Sequence, residues 1–170
     1  METLETKLPP LDQALELAPS RVKPEWIDYN GHMNVAYYVL AFDKALDNFC
    51  DRVDIGAAYV KRTNQSIFTL EMHVHYRQEV LEGDPLRFTF QLLDADDKRM
   101  HYFIRMYHAT EGFLSATCEQ IALHVDLGNR RTAAWPEGPH KALMDLKARH
   151  AALPRPAEVG SVIGIRRKSA

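Results

Sequence analysis

Cysteine is scarce in this chain of 170 residues: there are two, Cys50 and Cys118, with neither CxxC spacing nor the density of a disulfide framework. Both lie in apolar-patterned segments, so they read as reduced structural thiols. An excess of one charge is also missing. Lys and Arg number 21 against 23 Asp and Glu, a net charge of −2, which argues against a dedicated nucleic-acid binder with its basic stripe. Long hydrophobic runs are absent. The longest wholly apolar stretch, Val35 to Phe42, falls far short of the roughly 18 to 20 residues that cross a bilayer, so no membrane partner is expected. The opening METLETKLPPLDQALELAPS lacks a basic start, an apolar block and a cleavage site, and predicts a cytoplasmic protein without a signal peptide. Four common catalytic signatures are missing too: a GxSxG elbow, a GxxxxGK[ST] phosphate loop, a GxGxxG turn and an HExxH helix.

What is present is a globular composition, 46% hydrophobic and 26% charged, of a size that suits one core. Residues 1–19, with Pro9, Pro10 and Pro19 around LDQALELA, predict a peripheral arm with two helical turns. Arg21 to Ile27 predicts a first strand, held to an edge by Pro24. From Val35 the apolar residues Val35, Tyr38, Val39, Phe42, Leu46 and Phe49 recur at helical steps, with Asp43, Lys44, Asp47 and Asn48 on the other side. After a connection containing Gly56 the period becomes two. Phe68, Leu70, Met72, Val74 and Tyr76 alternate with Thr69, Glu71, His73, His75 and Arg77. Strands at Leu86–Leu93, His101–Ala109 and Phe113–Val125 follow as an antiparallel meander, and Lys141–Leu153 predicts a polar surface helix before a basic tail. The order excludes a regular βαβ alternation and implies an α+β domain: an antiparallel sheet of about five strands wrapped around one long helix. The division expected is an arm over 1–19, the domain over 20–135 and a C-terminal helix and tail over 136–170.

The chemistry concentrates in Trp26-Ile27-Asp28-Tyr29-Asn30-Gly31-His32-Met33-Asn34, between the first strand and the long helix. Asn30-Gly31 signals a turn and Asn34 is placed to cap the helix. A well-made turn explains that much. It does not explain a carboxylate, an imidazole and two carboxamides gathered where open backbone N–H groups and the helix dipole hold a developing oxyanion.

Asp28-x-Asn30-Gly31-His32-Met33-Asn34-x-x-Tyr37, together with Val74-x-Tyr76-Arg77-Gln78-Glu79-Val80-x-x-Gly83-Asp84, resembles the hotdog-fold acyl-CoA thioesterases of the 4-hydroxybenzoyl-CoA thioesterase type, from about Arg21 to Asp126. The resemblance implies a hotdog fold, an acyl-CoA substrate, no cofactor and no metal, and at least a homodimer or a homotetramer with composite sites. It implies that Asp28 acts on the thioester carbonyl and that a backbone N–H at Asn34, Val35 or Ala36 stabilises the oxyanion. His32 completes the candidate catalytic set of Asp28, His32, Asn34 and Val35. This loop is more polar than that of the benzoyl-CoA enzymes; His32 and Asn34 match a broader branch. The WIDYNGHMN stretch is also similar to thioesterases of bacterial carnitine breakdown, free or fused to a dehydrogenase, which implies betainyl-CoA as substrate.

A cationic acyl group calls for aromatic faces, and Trp26, Tyr29 and Tyr37 are the candidates, with Asn30, Gly31 and Glu71 as further substrate contacts. Arg77, Lys98, Arg99, Arg130, Arg131 and the Arg166–Lys168 tail are candidates for the coenzyme A phosphates. His73-x-His75 has a spacing that zinc uses, but no Cys or further His supports it locally; a polar strand face is the plain reading. His124 reads as a packed or edge histidine. Two other activities use the same fold. A hydratase or dehydratase expects a GDxNPxH-like loop, whose proline is missing here and whose interval to histidine is shortened. A non-catalytic acyl-CoA-binding domain has no need of Asp28 beside the helix end.

Overall fold

A computed structural model describes residues 13–165. The elements are β1 (Leu15–Arg21), a single 3-10 turn at Pro24–Trp26, α1 (Val35–Arg52), α2 (Ala57–Thr63), β2 (Gln65–Tyr76), β3 (Pro85–Ala95), β4 (Arg99–His108), β5 (Leu114–Asp126), β6 (Arg131–Thr132) and α3 (Glu137–His150). The strands form one antiparallel sheet in the order β1-β3-β4-β5-β2, with the short β6 on β5.

Alternation along the strands sends one set of side chains to α1 and the other away from it. Phe49 stacks on Phe90 with centroids 3.8 Å apart, and Phe42 meets Phe88 edge-on at 6.2 Å. Cross-strand register carries the same face through Leu92, Tyr102, Gln120 and Met72. These aromatic residues are almost wholly excluded from water, each contributing about 1.5–3 kcal/mol of burial. Tyr102 donates its hydroxyl to Gln120, so the one deep phenol in this layer is satisfied. The buried stripe of α1 is Tyr38, Ala41, Phe42, Ala45, Leu46, Phe49 and Cys50. Val35, expected in that stripe, is instead 56% exposed at the helix start.

Four local expectations are corrected. The first strand lies at Leu15–Arg21, not Arg21–Ile27, so from Leu15 onward the segment expected to be helical is strand. Pro19 is tolerated because the register with β3 shifts between Leu17 and Ser20 and because β1 is an edge. The connection containing Gly56 holds the short helix α2. In β2 the alternation is broken between Thr69 and Glu71, where a bulge opposes Leu70 to no partner. Finally, α3 is more than a surface helix. Pro139, Leu143, Leu146 and His150 are buried as it packs on β3 beyond Phe90, where β1 pairing stops. There His150 Nδ1 accepts the Leu92 N–H at 2.9 Å and Lys147 donates to the Ala95 carbonyl. From α3 the chain crosses the face of the sheet opposite α1, where Gln91 donates to the Pro154 carbonyl, Gly160 N–H to Glu119, and Arg77 pairs with Glu158. The Arg166–Lys168 tail and the first twelve residues lie outside the described residues. Among the described residues no helix is long and apolar enough to cross a membrane.

Candidate active site

The loop before α1 is built by its own backbone. Gly31 N–H donates to the Asp28 carbonyl and Asp28 N–H to the His32 carbonyl, closing a tight turn. Gly31 has φ +84°, which a residue with a side chain adopts only under strain. Ile27 and Met33 then form an antiparallel bridge, Asn34 N–H reaches the Trp26 carbonyl, and Met33 N–H reaches Val80 on the segment after β2.

Within this frame Asp28 is oriented by both carboxylate oxygens. Oδ1 accepts the Asn30 N–H at 2.8 Å, and Oδ2 faces the Asn34 amide Nδ2 at 3.5 Å. Asn34 has extended backbone (φ −64°, ψ 145°) and caps α1, its Oδ1 accepting the Ala36 N–H at 3.0 Å. Tyr37 N–H bonds the Asn34 carbonyl. Ala36 and Tyr37 are thus engaged, and among the described residues the Val35 amide makes no hydrogen bond. It lies in the first turn, at the positive end of the helix dipole. His32 is half-buried, and its Nδ1 donates to the Met33 carbonyl at 3.1 Å, which fixes the tautomer there because a carbonyl only accepts.

A cavity of about 280 Å³ opens at this helix end. His32, Met33, Val35 and Tyr38 form one wall; Tyr76, Arg77, Gln78 and Glu79, from the end of β2, form the other. Tyr76 donates to the Val35 carbonyl at 3.5 Å and stands edge-on to Tyr38, centroids 5.1 Å apart and planes at 88°. Burial raises the Tyr38 hydroxyl above its ordinary pKa, partly offset by hydrogen bonds to Ser115 and the Val80 backbone, with the Glu79 charge adding to the rise. Both phenols therefore stay neutral near pH 7, since burial raises Tyr76 too.

Residues 22–148 match the family described as the thioesterase-like superfamily. The chain belongs to the thioesterase-like superfamily. It is 38% identical over 156 residues to a betainyl-CoA thioesterase of Pseudomonas aeruginosa, an alignment covering 91% of this chain and 98% of that protein. It is 34% identical to an L-carnitine dehydrogenase/betainyl-CoA thioesterase of Rhizobium meliloti; there 90% of this chain covers only 31% of the relative's length. Among solved structures, a Staphylococcus aureus protein in complex with CoA superimposes with a TM-score of 0.84 at 26% identity, over 91% of this chain and 97% of that one. The hotdog architecture and the thioester hydrolase activity expected from the loop and strand motifs both stand.

In this thioesterase the structure gathers Asp28, His32, Asn34 and Val35 at one helix end, as their proximity in sequence suggested. None of the aromatic candidates Trp26, Tyr29 and Tyr37 lines the helix-end cavity. Trp26 is buried, stacked on Tyr37 at 5.8 Å, with Lys23 Nζ over its ring at 5.5 Å, while Tyr29 is 97% exposed at the turn tip beside Asn30. Glu71 is paired in register with Ile121, on the face of the sheet away from α1. There it borders a separate cavity of about 400 Å³ with His73, His101 and Glu119. Sequence reasoning missed Tyr38 and Tyr76 as wall residues, placing them in the core, and missed Glu79, although the strand motif around Tyr76 contains it.

Of the basic candidates within the described residues, only Arg77 lines the helix-end cavity. Arg99 is tied to Asp96, and Arg130 lies over the Phe68 ring. His73 and His75 have rings 4.5 Å apart, but His75 Nε2 is bonded to Ser161 Oγ, and among the described residues no group of three or more His, Cys, Asp or Glu is gathered to hold a metal. His124 is packed, bonded to the Tyr59 hydroxyl and the Ala133 carbonyl and lying on Trp135. Cys50 and Cys118 are free and buried, and burial pushes both thiols up to about 12, which leaves neither as a ready nucleophile.

Proposed function

We propose that this thioesterase hydrolyses a short cationic acyl-CoA, betainyl-CoA, to betaine and coenzyme A. Asp28 is the carboxylate that works on the thioester, and the Val35 N–H is the oxyanion donor. The observation that carries this reading is the open Val35 amide on the wall of a small cavity, with the Asp28 carboxylate oriented by Asn30 and by Asn34, the residue that precedes Val35. A tetrahedral intermediate needs a donor for its oxygen and a carboxylate to activate or deliver the attack, and both are present. Water supplies the new C–O bond of the acid as the C–S bond breaks, its proton passing through the Asp28 carboxylate to the departing coenzyme A thiolate. Asn34 holds Asp28 through its amide and shapes the helix end through its cap. The cavity is slightly smaller than the common range for ligand pockets, about 300–1,000 Å³, which favours a short acyl group; the cationic acyl group is carried over from the Pseudomonas and Rhizobium relatives.

The reading extends to a homodimer, and to the cytoplasm, whose reducing conditions suit two free buried thiols. Thiol release from a panel of betainyl-CoA, its neutral isostere 3,3-dimethylbutyryl-CoA, benzoyl-CoA and a long-chain acyl-CoA tests the substrate. The expected result is the highest kcat/KM for betainyl-CoA. A clear preference for benzoyl- or long-chain acyl-CoA rejects the cationic substrate while leaving the thioesterase chemistry in place.

A further inference from the structure

We infer that Tyr76 and Tyr38, with the Glu79 carboxylate, form the subsite for a quaternary ammonium in this thioesterase, an inference that rests on the cationic acyl-CoA reading above. The chemistry of the substrate fixes where such a subsite must be. In a betainyl thioester one methylene separates the reacting carbonyl from the ammonium nitrogen, so the cation sits next to the oxyanion donor.

Candidate aromatic residues are sorted by that requirement. Tyr29 faces solvent, and the Trp26 ring already carries Lys23 over it and does not line the cavity. Tyr76 reaches the Val35 backbone itself, and Tyr38 shares the cavity wall with Val35. Tyr76, 48% exposed, supplies the open ring face that attracts a trimethylammonium group, and the buried Tyr38 stands edge-on behind it with the planes nearly perpendicular. Glu79 lines the same cavity and is near enough to act electrostatically on the Tyr38 phenol, so a negative charge backs the subsite. Arg77 also reaches the cavity, but Glu158 holds its guanidinium at 2.7 Å and offsets the repulsion. Tyr38 is held by its burial in the α1 stripe, which gives the ring of Tyr76 a firm backing.

The test reads the ratio of kcat/KM for betainyl-CoA to that for 3,3-dimethylbutyryl-CoA, which differ in charge and not in shape. Tyr76→Leu and Glu79→Gln are each expected to lower this ratio roughly 3- to 30-fold, while Tyr76→Phe, which keeps the ring, holds it near the starting value. Tetramethylammonium chloride, followed by NMR shifts of the protein, provides a readout independent of turnover, with binding weakened in Tyr76→Leu. If the unaltered enzyme prefers the cationic substrate and both variants keep that preference, the subsite is elsewhere and the substrate reading survives. If it shows no preference, yet tetramethylammonium binds in a Tyr76-dependent way, the substrate reading fails and the cation subsite stands. Absence of both the preference and tetramethylammonium binding overturns the two together.

Discussion

The two oxygens of Asp28 are used differently, and that division decides what its replacement does. Oδ1 closes the turn by accepting the Asn30 N–H, whereas Oδ2 faces Asn34. In Asp28→Asn the oxygen that accepts from Asn30 is retained, so the turn survives, but the charge to which the proposed mechanism assigns the activation of the attack is gone. Turnover is expected to fall about a hundredfold or more with an unchanged unfolding midpoint, since general-base contributions run to about 10²–10⁴. Near-normal turnover in a folded variant moves the chemistry off Asp28. Asn34 has two duties, and Asn34→Ala separates them. Loss of the cap to Ala36 costs about 1 kcal/mol of stability. Loss of the amide beside Asp28 adds a fall in kcat that persists when Asn34→Ser or Asn34→Thr restores the cap alone. Recovery of kcat along with stability in those variants assigns Asn34 to capping only.

At the scale of elements, α3 makes the stability of the fold depend on pH. His150 Nδ1 accepts the Leu92 N–H, which only an unprotonated nitrogen does, and burial pushes its pKa down to about 4 from the ordinary 6.5. Above 6.5 the imidazole is neutral folded or unfolded, and its contribution is fully present. As the pH drops below 6.5 the unfolded chain takes up a proton that the folded one refuses, so stability declines until about pH 4, at a slope approaching about 1.4 kcal/mol for each pH step of one. Burial depresses His124 in the same direction. Urea midpoints should therefore fall between about pH 7.5 and 5, and in His150→Asn that fall should shrink to the share left by His124. An equal fall in the variant removes His150 from the account. The same element shows what the chain's pattern could and could not reveal. Long strands with clean alternation, β3 to β5, were legible because every second side chain is apolar, and α1 because its stripe repeats over several turns. LDQALELA reads as helix locally, yet from Leu15 it pairs with β3, a contact distant in sequence that overrides propensity. Asp28, His32, Asn34 and Val35 were legible since they occupy one short segment. Tyr76 and Glu79 were not, because only the return of β2 to the start of α1 brings them there.

For the whole molecule, the two ends of the sheet are treated unequally. The edge β1 is tied to α1, with Arg52 donating to the Glu16 carbonyl and Asn48 accepting the Ala18 N–H. At the other end β2 is longer and carries Phe68, Leu70 and Tyr76 at 39%, 55% and 48% exposure. An apolar edge of this length is a template for another strand, and a protein that leaves one unguarded needs a partner for it. We propose that a second copy of the chain pairs along β2, which would place Tyr76 and the helix-end cavity at the rim of the interface. Leu70, set out of register by the bulge, is the position where a charge harms the partnered form most and the isolated fold least. Leu70→Glu is expected to shift sedimentation from dimer to monomer at micromolar concentration, with an unchanged circular dichroism spectrum and a large loss of thioesterase activity that higher protein concentration partly restores. A fully active monomer would mean that each cavity is complete in one chain. An unaffected dimer would move the interface away from β2.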